Sequence, residues 1–289
     1  MPDQVLRDNM NVSYLFTPAL KIGSLLKGSE TRVDAVVLDL EDSIHISSKT
    51  EARDSVKYAD VASLRHRHAE VGLRINSLST PYGLQDAALI FEMQKSRDSR
   101  IDSVFIPKIR SAGELRLYKD LFSSLTIPVK VIPIIETVDA VNEIDDISSL
   151  SDAMILGQAD LSAEMYSANK SFIAHARAMV CISAARRCIP AIDTNSFELH
   201  DMEQFSAECL AAKHEGFIGK AAIHPCQVPI INKTFRVSQE ELDHYTLSIE
   251  AYNKSAVGFS IVDGKVIAPP FVAKAKKMLD LHATSEFNK

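Results

Sequence analysis

The stretch AVVLDLEDSI, residues 35–44, indicates the fold class more directly than any other part of the chain. Its first half is a run of apolar residues that favour β-strands, which is typical of a parallel strand buried on both faces. The run ends on three carboxylates, Asp39, Glu41 and Asp42. A buried strand that ends in several acidic residues predicts a functional loop at the carboxyl end of a parallel sheet or barrel.

Similar apolar runs recur along the chain, and helical segments are predicted between several of them. The further runs are SYLF (13–16), GLRI (72–75), SVFIPK (103–108), VKVIPII (129–135), AMILG (153–157), IPAID (189–193) and KAAIH (220–224). Helices are predicted at 47–64, 111–122, 160–187 and 196–214. Eight βα units in roughly 225 residues match a (β/α)8 TIM barrel. A doubly wound open sheet is the alternative, disfavoured because no glycine-rich phosphate loop follows the first strand.

The pattern changes after Pro229, and a C-terminal extension is predicted there. Ser238 with Glu241 three residues later predicts a helix over 238–254, and Asp263-Gly264 predicts the turn of a hairpin within 258–270. A last helix is predicted over 271–283. We expect a flexible N-terminus (1–12), a barrel (13–235) and a helix–hairpin–helix extension (236–289) that acts as a lid or a subunit-docking arm.

Composition excludes several classes of function. The chain has 289 residues, of which 46% are hydrophobic, and a net charge of −6, which argues against nucleic acid and anionic membranes as partners. No apolar run reaches the ~18 residues of a membrane span, and the N-terminus lacks the apolar core of a signal peptide. The four cysteines show no metal-ligand spacing and are expected to be reduced. These features predict a cytoplasmic protein.

Polar residues follow seven of the apolar runs, at the end of a barrel that carries active sites. They are Asp39, Glu41 and Asp42, then Arg74 and Asn76, Lys108, Glu136, Gln158 and Asp160, Asp193, and His224. Glu136 and Asp160 follow adjacent strands and suit one Mg²⁺ ion, which commonly takes one or two protein carboxylates. Arg74 suits a substrate carboxylate or carbonyl oxygen. Together they suit a 2-hydroxy or 2-oxo acid bound to the metal.

A plainer interpretation of the same residues is that strand ends simply reach solvent. Arg74 would then be a surface arginine paired with Glu41 or Asp42. On this view Lys108 closes the fourth loop, His224 caps the eighth strand and Asp193 braces the rim.

Seven motifs, in this order and spacing, resemble the HpcH/HpaI aldolase and citrate lyase beta-subunit-like family, which includes malyl-CoA and citramalyl-CoA lyases. The motifs are LDLEDSI (38–44), LRINSLSTPYGLQD (73–86), VFIPKI (104–109), IIETVDAV (134–141), ILGQADLS (155–162), IPAIDT (189–194) and GFIGKAAIHPCQVPIIN (216–232). The resemblance implies a (β/α)8 barrel that forms a homotrimer or hexamer.

The resemblance also implies roles for individual residues. Glu136 and Asp160 would bind Mg²⁺, and Arg74 would bind substrate oxygens and steady an enolate. Glu41 and Asp42 would accept hydrogen bonds from metal-bound water or orient Arg74. Lys21 and Asn76 are further substrate-binding candidates. These roles belong to a site for a small 2-oxo or hydroxy acid, carried as a thioester of CoA or of an acyl carrier.

The implied reaction cleaves or forms a 3-hydroxyacyl thioester, with a 2-oxo acid and an acyl thioester as the other partners. Two positions depart from the family pattern. Ala268 stands where relatives carry an acid/base aspartate in the hairpin, and Lys21 stands where they often carry an arginine after the first strand. Ala268 makes Glu41 or Asp42 a candidate proton acceptor. It also leaves two alternatives open, a pyruvate-type aldolase that does not use CoA and a catalytically impaired homologue that only binds 2-oxo acids.

Overall fold

Eight parallel strands close into a barrel in chain order, with each strand paired to the next and the last to the first. The computed structural model describes residues 11–27, 33–166 and 169–286, with side chains described as far as residue 279. The strands are β1 (Ser13–Pro18), β2 (Ala35–Asp39), β3 (Glu70–Arg74), β4 (Ser103–Ile106), β5 (Lys130–Ile135), β6 (Met154–Leu156), β7 (Ala191–Asp193) and β8 (Gly219–Ala222). The predicted (β/α)8 barrel is confirmed, and closure excludes the open sheet.

Helices connect and follow these strands. They are α1 (Ile22–Lys27), α2 (Lys49–Lys57), α3 (Val61–Arg67), α4 (Pro81–Met93), α5 (Ala112–Ser123), α6 (Val138–Asn142), α7 (Ile144–Leu150), α8 (Gln158–Ala163), α9 (Lys170–Arg187), α10 (Met202–Glu215) and α11 (Val228–Phe235). The single helix predicted over 47–64 is wrong, because the Asp60 side chain accepts the N–H of Ser63 and begins a new helix. The segment 160–187 likewise divides into α8 and α9.

Strand β2 shows why the barrel strands read as continuous apolar runs. All five of its residues are buried. Ala35 and Val37 join the lumen cluster around Phe105, whereas Val36 and Leu38 pack in the outer cluster that includes helix residues. This two-residue period makes Asp39 the next position that faces the lumen.

The same period orients the other strand ends. Glu136 lies two residues beyond Ile134, which packs in the lumen. Arg74 lies two residues beyond Gly72, where a Cβ atom would meet the lumen side chain of Phe105. Residues from different strands therefore converge at the carboxyl end of the barrel.

The chain divides into two compact units, and the barrel unit comprises Asn11–Phe235. Of the predicted flexible N-terminus, residues 1–10 lie outside the described residues. Asn11 and Val12 are buried, and the Asn11 amide donates a hydrogen bond of 2.9 Å to Glu70.

The second unit contains α12 (Gln239–Lys254), a hairpin of β9 (Ser260–Val262) and β10 (Lys265–Ile267), and α13 (Pro269–Glu286). Ser238 and Glu241 form the predicted capping box. Asp263 and Gly264 both have positive φ, 49° and 74°, as the tight hairpin turn requires. The helix–hairpin–helix order is confirmed, and its role as a lid or docking arm stays a prediction. Of the helices that the structure describes, none is both long and apolar enough to cross a membrane.

Candidate functional site

Asp39 and Arg74 form an ion pair at the carboxyl end of the barrel. They end β2 and β3, and the strand register places them side by side. Arg74 donates from Nε to Oδ1 at 2.7 Å and from Nη2 to Oδ2 at 2.5 Å, and its side chain is 16% exposed. Burial alone would raise the pKa of Asp39, but the guanidinium outweighs it and holds that pKa below its ordinary value. The bidentate contact fixes the orientation of Arg74.

Two further contacts hold the guanidinium. Its central carbon lies 5.6 Å from the ring centroid of Phe16, a cation–π distance, and the Phe16 ring packs edge-on against Phe105. Its Nη1 atom lies 3.2 Å from Oε2 of Glu41. Arg74 is therefore positioned by strands β1 and β2 as well as by its own strand.

Glu41 and Asp42 share the ammonium group of Lys108. The Nζ atom of Lys108 donates to Glu41 Oε1 and lies 3.0 Å from both carboxylate oxygens of Asp42. Burial raises the pKa of the Glu41 carboxyl. Burial would also raise the pKa of Asp42, but its hydrogen bonds with Lys108 and Glu41 and the charges of Lys108 and Arg74 together outweigh burial and lower that pKa. The acidic loop that follows β2 is thus offset by Arg74 and Lys108, which explains why it can lie at the mouth of the barrel.

The buried Lys49 holds the loop that follows β2 through hydrogen bonds. Lys49 Nζ donates to the carbonyl oxygens of Leu40 and Glu41, both at 2.7 Å, and to Oδ1 of Asn76 at 2.8 Å. The Asn76 amide nitrogen donates in turn to Leu40 and to Asp86. The side chain of Asn76 is thus engaged within the protein, and its contact with substrate stays a prediction.

Glu136 and Asp160 form the second part of the site. Glu136 directly follows β5 and is buried, and Asp160 lies in the first turn of α8. Glu136 Oε1 accepts the backbone N–H of Lys108 at 2.6 Å. Gly157 makes room for this carboxylate, because a Cβ atom there would lie 2.5 Å from Glu136 Oε2. Burial and the neighbouring charge of Asp160 raise the pKa of Glu136 to about 8.

The donor chemistry of this pair fits Mg²⁺. Two carboxylates are hard oxygen ligands, and a divalent cation would relieve the repulsion that raises the pKa of Glu136. Among the described residues, no group of three or more His, Cys, Asp or Glu side chains could hold a metal ion.

Lys21 lies elsewhere on the rim, in a turn that follows β1. It lines a cavity of about 370 Å³ together with Thr17, Ser24, His68 and His224. In the described part of the chain it takes no part in the hydrogen bonds and ion pairs around Arg74. Its predicted contact with substrate stays a prediction.

Two other strand-end residues, Asp193 and His224, make contacts outside the group around Arg74 and Glu136. Asp193 follows the lumen residue Ile192 and therefore faces the helix layer, where it binds Lys220 at 2.5 Å and Arg177 at 2.8 Å. Asp193 therefore joins β7 to β8 and to α9 from the helix side of the barrel and not from the lumen. His224 accepts the N–H of Cys226 and caps the turn that precedes α11. It does not cap β8.

Sequence reasoning also missed one residue, Lys49, and one contact, between Asp39 and Arg74. Lys49 carries no recognisable signal, because a lysine in the first turn of a helix after a strand is common. The contact between Asp39 and Arg74 did have a signal in the sequence, since both residues end neighbouring parallel strands. Lys108 was expected to close a loop, and its contacts with Glu41, Asp42 and Glu136 show how it does so.

The chain is similar to several characterised proteins over most of its length. It is 28% identical over 277 residues to a (3S)-malyl-CoA thioesterase of Cereibacter sphaeroides, covering 92% of this chain and 93% of that one. It is 26% identical to an L-malyl-CoA/beta-methylmalyl-CoA lyase of Rhodobacter capsulatus, with 89% and 90% covered.

A solved structure shows the same fold. The protein CitE of Mycobacterium tuberculosis, in complex with magnesium, acetoacetate and coenzyme A, is 24% identical, covers 94% of this chain and 98% of its own, and superposes with a TM-score of 0.75. The family model described as HpcH/HpaI aldolase/citrate lyase matches residues 13–225, which include every barrel strand and all the rim residues described above. The chain belongs to the HpcH/HpaI aldolase/citrate lyase family.

Proposed function

We propose that this protein is a Mg²⁺-dependent carbon–carbon lyase or aldolase. It would cleave or form a 3-hydroxyacyl thioester, with a 2-oxo acid and an acyl thioester as the other partners. The observation that carries the proposal is one convergence at the barrel mouth. Arg74, held by Asp39, and the buried Glu136 both face the lumen at the carboxyl end of the barrel, and the charge of Asp160 contributes to the raised pKa of Glu136.

Glu136 and Asp160 are the residues that would hold the metal ion. Their oxygen chemistry supports this role, and a family member binds magnesium in its crystal structure. When bound, Mg²⁺ supplies positive charge that polarises substrate oxygens and offsets negative charge. Gly157 contributes by leaving space for the Glu136 carboxylate.

Arg74 would bind substrate oxygen and stabilise the negative charge that develops on the thioester oxygen as the carbon–carbon bond breaks. Preorganised donors of this kind are effective because they need no reorientation during the reaction. The bidentate contact with Asp39 and the ring of Phe16 provide that preorganisation.

Glu41 and Asp42 are the proposed proton acceptors for the substrate hydroxyl. Ala268, which lies between β10 and α13, has no proton to exchange, so the role must fall on other groups. Burial raises the pKa of Glu41 whereas the pKa of Asp42 is lowered, and Glu41 is therefore the better acceptor by its affinity for protons.

The test is an assay with two readouts on purified protein. Malyl-, citramalyl- and citryl-thioesters are incubated with Mg²⁺, and both 2-oxo acid and free thiol are measured. A lyase releases glyoxylate, pyruvate or oxaloacetate without free thiol, and Glu136→Gln abolishes the release. Glu51→Gln, at an exposed residue of α2, makes the same chemical change away from the site and should behave as wild type. If no substrate yields a 2-oxo acid and Glu136→Gln changes nothing, the proposal fails.

The same assay separates the alternatives. Thioester hydrolysis, the activity for which the Cereibacter sphaeroides relative is named, releases thiol without 2-oxo acid. A CoA-independent aldolase condenses pyruvate with an aldehyde in the absence of any thioester, and Lys21 and Ala268 are the residues that favour it. Binding of Mg²⁺ and pyruvate without turnover identifies an impaired homologue. We further propose a homotrimer or hexamer, which light scattering of the purified protein tests.

A further inference from the structure

Lys108 contacts both acidic parts of the candidate site. Its side chain binds Glu41 and Asp42 on the loop after β2, and its backbone N–H binds Glu136 after β5. We propose that Lys108 is a positioning residue. The contacts of its ammonium group stabilise a left-handed backbone conformation at Lys108, and that conformation directs its backbone N–H onto Glu136. This inference rests on the proposed function, in which Glu136 binds the metal ion.

The backbone of Lys108 is the first observation. Its φ is 54°, a value that L residues other than glycine adopt only at a cost. The flanking residues Pro107 and Ile109 are buried, so the peptide is anchored on both sides. In addition, the Thr137 hydroxyl donates to the Ile109 carbonyl at 2.7 Å. The loop after β4 is therefore joined to the segment Glu136–Thr137 by two hydrogen bonds.

The ammonium group is the second observation. Its partners, Glu41 and Asp42, come from a loop more than sixty residues earlier in the chain. Asp42 Oδ1 and Oδ2 are both 3.0 Å from Nζ, so the group is held between two carboxylates. These ion pairs form in the conformation with positive φ and therefore offset its energetic cost. Without them residue 108 should return to negative φ, unless the new residue tolerates positive φ.

Alanine and glycine separate these effects at position 108. Both remove the ammonium, but glycine adopts positive φ freely whereas alanine pays the same backbone cost as lysine. In Lys108→Ala the loop should return to negative φ and the N–H should leave Glu136. In Lys108→Gly the N–H should stay on Glu136 although Glu41 and Asp42 have lost their partner. Lys108→Arg keeps a positive charge and serves as the conservative control.

Crystal structures of the three variants and Mg²⁺ calorimetry test the inference. We expect the distance from N of residue 108 to Glu136 Oε1 to stay below 3.2 Å in the glycine and arginine variants and to exceed hydrogen-bonding range in the alanine variant. The Mg²⁺ dissociation constant should rise about tenfold in Lys108→Ala and stay within about twofold of wild type in Lys108→Gly. Turnover should fall about tenfold in both, mainly in kcat, because Glu41 and Asp42 lose the hydrogen bonds of the ammonium group in both.

Each outcome decides the matter. If alanine keeps the contact with Glu136, the ammonium does not hold the backbone. If glycine loses the contact, the cost of positive φ is not what releases the N–H. Either result overturns the inference. A purely structural role would lower the melting temperature of both variants without this difference between alanine and glycine. If wild type binds no Mg²⁺, the proposed function fails, while the crystal structures still decide the role of Lys108. The glycine variant avoids the backbone cost that alanine pays, so a misfolded alanine variant does not remove the test.

Discussion

Replacing Asp39 by asparagine removes the charge that fixes Arg74. The Asp39 carboxylate accepts two hydrogen bonds from Arg74 and two from the backbone N–H groups of Glu41 and Ser43. Asparagine keeps the size of the side chain but presents an NH₂ group where Arg74 needs an acceptor. One substitution therefore disturbs the guanidinium and the acidic loop together.

The expected cost is large because Arg74 is left in a buried position. Breaking a buried ion pair by removing one partner destabilises proteins by about 3–5 kcal/mol. Glu41 remains 3.2 Å from Nη1 and retains part of the attraction, so we expect about 3 kcal/mol for Asp39→Asn. The matched control is Asp139→Asn. Asp139 pairs with Arg110 at 2.8 Å with both side chains 57% exposed, so this change should alter the free energy of unfolding far less than Asp39→Asn does.

Urea unfolding at several pH values measures these energies. The folded pKa of Asp39 lies below its ordinary value of 3.8, so its ionisation stabilises the fold above pH 4, and that stabilisation is lost as pH falls through the folded pKa. Wild type should lose this part of its stability in acid, and Asp39→Asn should not. Catalytic efficiency of the variant should fall by about 10²-fold or more, because Arg74 is no longer preorganised. A variant within about 0.5 kcal/mol of wild type at pH 7, a change no larger than an ordinary surface substitution, would refute this reasoning.

Three further predictions concern the carboxylates. Gly157→Ala should destabilise the protein by about 1–3 kcal/mol in urea unfolding and weaken Mg²⁺ binding in calorimetry, since its Cβ would overlap Glu136. Gly23→Ala is the control and should do neither, because its Cβ would meet no atom within 4 Å beyond its chain neighbours and the backbone of its own helix. Asp42→Asn should lower kcat by about 10–100-fold with an unchanged melting temperature, and full activity would return this residue to a surface role. Mg²⁺ affinity should rise about tenfold per pH unit from pH 6 towards 8 in wild type, because Glu136, with a pKa of about 8, must lose its proton to bind, and Glu136→Gln should lack this slope.

The barrel itself could be predicted because each strand carries its own signal. Parallel strands covered on both faces need continuous apolar runs, and the sequence contains eight such runs. The ends of β2, β3 and β5 then follow from the period of two, which sends Asp39, Arg74 and Glu136 towards the lumen. Asp160 belongs to the same group only because it begins the helix after β6.

Two kinds of feature could not be predicted: the face of the barrel to which a side chain points, and contacts between residues far apart in the chain. The apolar run that ends on Asp193 gave no sign that this residue faces the helices, because one residue of difference in register reverses the face. The positive φ of Lys108 could not be predicted, because such angles are expected at glycine or asparagine and not at lysine. The break between α2 and α3 lacks proline and glycine and depends on the capping side chain of Asp60. The partners of Lys49 come from two separate segments, which no local pattern reveals.

The most direct test of the central claim is a crystal structure of the protein with Mg²⁺ and pyruvate. The ion should bind between the carboxylates of Glu136 and Asp160, and an oxygen of pyruvate should lie within hydrogen-bonding distance of Arg74 while Arg74 keeps its contact with Asp39. An ion bound elsewhere, or pyruvate bound without Arg74, would contradict the proposed site.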